Sequence, residues 1–61
     1  MNEQYIIDQL IINQVNYQTY GDKQFYDSFE FWMIKLQQHM NFSTLEEACE
    51  YYIALGEKQV A

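Results

Sequence analysis

Apolar positions recur along this chain with the spacing of α-helices, most clearly from Asp22 to Met40. There Phe25, Phe29, Trp32, Met33, Leu36 and Met40 follow one another at intervals of four, three, one, three and four residues. A helix turns once in 3.6 residues, so these side chains share one stripe. The stretch holds the only tryptophan and three of the four phenylalanines. A short chain buries little, and its largest side chains are expected where the remainder can wrap them. The pattern therefore predicts a central helix with a core of Phe25, Phe29, Trp32, Met33 and Leu36.

The preceding segment is less regular. Ile6, Leu10 and Tyr17, joined by Ile7 and Ile11, cover one broad side of a helix, with Asp8, Gln9, Asn13, Asn16 and Gln18 on most of the rest. Glu3 falls in the first turn, where a carboxylate favours the helix dipole. Val15, Tyr17 and Thr19 also alternate with Asn16, Gln18 and Tyr20, a strand-like pattern. Within residues 14–27 a hairpin across Tyr20-Gly21-Asp22-Lys23 is thus the competing expectation. Helix is preferred, because a second strand after Lys23 would interrupt the better-defined central stripe.

Stop and start signals stand side by side at the first joint. Gly21 can take the left-handed conformation that ends a helix, and Asp22 is a good N-cap for the next. Asp27, with Glu30 three residues on, is an alternative N-cap. At the second joint Asn41 can serve as a left-handed cap, and Phe42 can fold back on the core. Ser43-Thr44-Leu45-Glu46 reads as a capping box with Ser43 as N-cap. Leu45, Ala48, Cys49, Tyr52, Ile53 and Leu55 supply the buried side of the helix that follows. Gly56 is expected to end it, leaving residues 57–61 as a tail. The sequence therefore predicts a single all-α domain over residues 1–61. It is a small antiparallel three-helix bundle with helices at about 2–19, 22–41 and 43–56.

Charge narrows the classes of function. Nine Asp and Glu stand against three Lys, with no Arg, for a net charge of −6. Direct nucleic-acid binding and docking on anionic membranes both need clustered cations, so neither is expected. A basic protein partner is compatible with this charge, which also serves solubility. The first residues lack the basic region of an export signal, and no stretch has the length of a membrane span. With one cysteine there is no internal disulfide, and the cytoplasm is the expected compartment.

No catalytic constellation emerges, and neither a metal nor a cofactor is expected. His39 has no partner at metal-ligand spacing and suits the negative end of the central helix. Cys49 has Glu46, Glu47 and Glu50 as sequence neighbours, the opposite of the positive surroundings that activate a thiol. The three glutamates mark an acidic contact patch for a basic partner. There is no phosphate-binding glycine loop, nucleophile elbow or zinc motif. A DNA-reading helix-turn-helix at the second joint would open on Leu45-Glu46-Glu47, which repels phosphate.

Surplus apolar surface is the remaining signal. Tyr5 and Ile12 on the first helix, Phe31 and Ile34 on the second, and Tyr51 on the third all point away from the expected core. Aromatic anchors of this type dominate binding energies. The expected function is a small acidic, non-enzymatic protein-binding module that acts as an inhibitor or regulator. Its contact residues would be Tyr5, Ile12, Phe31, Ile34, Glu46, Glu47, Glu50 and Tyr51. A composition rich in Asn, Gln, Tyr and Ile suits an accessory protein of a bacterium or phage. One version mimics nucleic-acid charge to block an enzyme, as anti-CRISPR and anti-restriction proteins do. The structural alternative is a homodimer or larger assembly whose interface uses the same stripes.

Overall fold

The computed structural model describes residues 2–60. Three helices follow in order: α1 (Glu3–Tyr20), α2 (Lys23–Met40) and α3 (Leu45–Val60). The chain is all-α, and residues 14–27 form no hairpin: α1 continues to Tyr20 and α2 starts at Lys23. Aromatic contacts run in opposite order along α1 and α2, with Tyr20 on Phe25, Tyr17 on Tyr26 and Tyr5 on Trp32. The two helices are therefore antiparallel neighbours, and theirs is the most extensive packing in the fold. The third helix rests mainly on α2.

Local chemistry accounts for both joints. Asn2 caps α1, its side chain accepting the Tyr5 backbone N–H at 2.8 Å. Gly21 ends the helix at φ 68°, its own N–H donating to the Tyr17 carbonyl at 2.7 Å. Asp22 then caps α2 through the Gln24 N–H at 3.1 Å, which leaves Asp27 simply exposed. Asn41 takes the left-handed conformation at φ 60°. Asn41 N–H donates to Gln38 and Phe42 N–H to Gln37, which forms a Schellman closure. Phe42 folds back as expected, packing against the core and lying 5.5 Å from the Tyr51 ring.

Helix α3 departs from the sequence reading at both ends. Its cap is Thr44 rather than Ser43: the Thr44 hydroxyl accepts the Glu47 N–H at 3.2 Å. The Thr44-to-Glu47 spacing satisfies the same S/T-x-x-E rule one residue later, so two overlapping boxes were present in the sequence. Gly56 does not stop the helix, which continues to Val60. A glycine is tolerated inside a helix at the cost of backbone entropy, and nothing downstream forces a left-handed turn here.

The core is aliphatic rather than aromatic. Ile6, Ile7 and Leu10 of α1 meet Met33 and Leu36 of α2 and Ala48 of α3. Phe29 and Trp32 are half-buried at its margin, and Phe25 lies outside it, stacked on Tyr20 at the first joint. The interior fills at crystal-like density with the side chains that fit there, and here those are Ile, Leu, Met and Ala. Tyr17 and Ile11, expected inside, are exposed. Asn13, expected outside, is buried. It stands seven residues after Ile6 and three after Leu10, squarely on their stripe. Its Nδ2 donates to the Gln9 carbonyl at 2.8 Å, so the buried amide has a partner within its own helix.

Candidate functional site

Two surfaces gather the exposed apolar side chains. The first lies on the α1–α2 seam. Tyr5, Trp32 and Phe31 form a run of edge-to-face rings, with centroids 5.6 Å and 5.3 Å apart. Lys35 covers the Phe31 face, its Nζ 5.3 Å from the ring centroid. Such a contact contributes about 0.5–1 kcal/mol at an exposed site and fixes the ring. Phe31 remains 51% exposed and Tyr5 48%, so the run is a surface feature. Ile34, one turn along from Phe31, is exposed on the outer side of α2. Tyr5 and Phe31, predicted separately, are thus joined through a tryptophan that the sequence assigned to the core.

The second surface is an open groove of about 750 Å³ between α1 and the C-terminal half of α3, walled by Ile7, Ile11, Val15 and Ile53. A neighbouring recess of about 440 Å³ opens toward Tyr17, Tyr26 and Phe29. The Tyr52 ring stands between the two, and its hydroxyl donates to Gln14 Oε1 at 2.5 Å. Few contacts besides side chains join α1 to α3, which is why this face stays open. Sequence reading placed Ile11 and Ile53 in the core and so missed the groove. The cue was there: Ile7, Ile11 and Val15 recur every fourth residue along the edge of the α1 stripe, forming a ridge broader than one neighbour covers.

Tyr51, expected to point away from the core, faces it instead. It is half-buried against the core, stacks on Phe42, and donates its hydroxyl proton to Glu3 Oε2 at 2.6 Å. That hydrogen bond, with partial burial and the charge of the same carboxylate, raises its pKa above the usual 10.0. Burial raises Tyr52 in the same direction.

The acidic cluster is divided by helical geometry. Glu46, Glu47 and Glu50 are all exposed. Glu46 and Glu50 are one turn apart, and the same line continues through Ile53 to Glu57. Glu47 lies some 100° around the helix from this line, its N–H engaged by the cap. Ile12 is 50% exposed on α1, well around that helix from Ile7 and Leu10. Cys49 is half-buried against the core, and His39 is exposed in the last turn of α2. Among the described residues, no three His, Cys, Asp or Glu side chains assemble into a metal-binding group. No described helix is long and apolar enough to cross a membrane.

Fold and surface together define a small helical bundle with an exposed aromatic run and an open apolar groove. No protein-family model, curated protein or solved structure matches the chain.

Proposed function

We propose that this protein is a small acidic, non-enzymatic protein-binding module, an inhibitor or regulator of its partner. The observation that carries this reading is the Tyr5–Trp32–Phe31 run. It is aromatic, fixed by edge-to-face packing, and open to solvent. Rigid amphipathic rings bury large area with little rotamer entropy to lose, which makes them effective anchors. Ile34 extends the apolar area, and Lys35 supplies a donor at its edge. A role in a bacterium or phage, including inhibition of a nucleic-acid enzyme by charge mimicry, is consistent with the net charge of −6.

Affinity capture from a host lysate, comparing the native chain with a Phe31→Asp, Ile34→Asp double variant, tests the reading. Both residues are exposed, so the variant is expected to fold, and circular dichroism checks that it does. A partner that is held by the native chain and lost from the variant supports the proposal. Sedimentation equilibrium supplies the competing outcome. A dimer at micromolar concentration, dissociated by the same substitutions, would assign the surface to self-association instead.

A further inference from the structure

The α1–α3 groove has a shape and a charge pattern of its own. We infer that it is a docking site for a cationic amphipathic helix of a partner protein, an inference that rests on the protein-binding reading and names a second surface for it.

Three observations fix the occupant. The first is the floor: Ile11, Val15 and Ile53 line the groove and are 39%, 52% and 57% exposed. Nothing among the described residues covers them, and an apolar strip of this kind matches the apolar face of a helix. The second is length. The α1 wall runs from Ile7 to Gln18, a rise of eleven steps or about 16 Å at 1.5 Å per residue. That accommodates about three turns of helix, with anchors at i, i+4 and i+7.

The third is charge. The α1 wall contributes none, for no residue from Gln9 to Gly21 is charged. The charge that α3 brings to the lining is acidic, Glu57. Glu46, Glu50, Ile53 and Glu57 follow at intervals of four, three and four, so the carboxylates flank the exposed isoleucine on one stripe. Ile53 and Glu57 both line the groove. Lys58 is five positions beyond Ile53 and therefore some 140° around the helix. A complementary helix carries apolar residues on one face and Lys or Arg along the flank that meets α3. A second copy of this chain cannot supply it. Its three lysines, Lys23, Lys35 and Lys58, share no helix face, and each copy brings a net charge of −6.

Amide chemical shifts of the isotopically labelled chain, titrated with a designed fourteen-residue Leu/Lys amphipathic helix, test this. A twin peptide with Glu in place of Lys is the control. The expected result is saturable binding of the Lys peptide, with shifts centred on Ile11, Val15, Ile53 and Glu57, and at least tenfold weaker binding of the Glu twin. Ile53→Lys or, independently, Val15→Lys should weaken the Lys peptide by about tenfold or more. Each residue is half-exposed, so a fold failure in both is not expected. Glu50→Lys combined with Glu57→Lys should invert the preference between the peptides. Asp27→Lys combined with Glu30→Lys, an equal charge change on α2, should alter affinity by less than about twofold.

Equal binding of the two peptides, shifts spread evenly over all carboxylates, or no saturable binding of the Lys peptide would each overturn the inference. Loss of the groove and loss of the wider reading are separable. A captured partner that depends on Phe31, beside a chain that ignores the peptide, removes the groove alone.

Discussion

Replacing Asn13 with leucine should make this protein more stable. Asn13 is 8% exposed and occupies the stripe of Ile6 and Leu10. Its one hydrogen bond goes to the Gln9 carbonyl, the natural i−4 acceptor of its own backbone N–H. Removing the amide therefore leaves that carbonyl with its helical partner, and no orphaned group is created. The lost hydrogen bond costs about 1 kcal/mol. Leucine branches at the same carbon and, if fully buried, gains about 2 kcal/mol. It is also the better helix former, by roughly 0.5 kcal/mol. The balance is a stabilisation of about 1.5 kcal/mol, or a rise in Tm of about 6–12 °C for a domain of this size. Urea unfolding followed by far-UV circular dichroism measures it, with the slope expected to stay constant. A loss of 1 kcal/mol or more, rather than a gain, would refute the reasoning. It would mean that the site has no room for two methyl groups, or that the amide specifies the helix pairing.

Other substitutions probe the joints and the struts. Gly21→Ala should cost about 1–2 kcal/mol, because the position is left-handed at φ 68°. Gly56→Ala should gain about 0.5–1 kcal/mol, because the position is helical and an added Cβ meets nothing within 4 Å. Equal effects in thermal unfolding would contradict the assigned end of α3. Thr44→Ala should destabilise by about 1 kcal/mol while Ser43→Ala changes little. The reverse order would move the cap back to Ser43. Tyr51→Phe should cost about 1 kcal/mol at neutral pH. The Tyr51 phenol has a pKa above 10.0 when folded, so its contribution is complete below the unfolded value and is lost as pH rises through the folded one. Alkaline unfolding curves of the native chain and the Phe variant should therefore converge above about pH 10. Curves that stay parallel would show that the Glu3–Tyr51 bond contributes no pH dependence.

Helix number, order and joints were legible because each rests on local chemistry. Gly21, Asp22 and Asn41 have few other conformational uses, and a capping box is a short-range device. What the sequence could not assign was which side of a stripe is covered. Tyr17 shares the angular position of Leu10 on α1, yet it packs on Tyr26 near the first joint and stays exposed. Asn13 has a polar label and a core position, and a reading by residue type put it outside. Trp32 was placed in the core by size, whereas close helix packing selected Ile6, Leu10 and Leu36. The same uncertainty hid the groove: its walls come from helices separated in sequence, and their incomplete closure is a tertiary property. The inward turn of Tyr51 was not legible, because its hydrogen-bond partner, Glu3, is 48 residues away.

The sparse attachment of α3 also has a consequence for motion. Among the described residues, α1 and α2 share five of the six buried apolar side chains, and α3 adds Ala48 alone. Its other holds are half-buried side chains, Leu45, Cys49, Leu55 and the rings of Tyr51 and Tyr52, with two tyrosine hydroxyls reaching Glu3 and Gln14. The α1–α2 hairpin is then the last unit to open, and α3 lifts away at a lower free energy than global unfolding. In native-state hydrogen exchange the amides of α3 would exchange ahead of those around Leu10 and Leu36. A ligand laid against Ile53 would slow them selectively, because it must be released before that wall can lift.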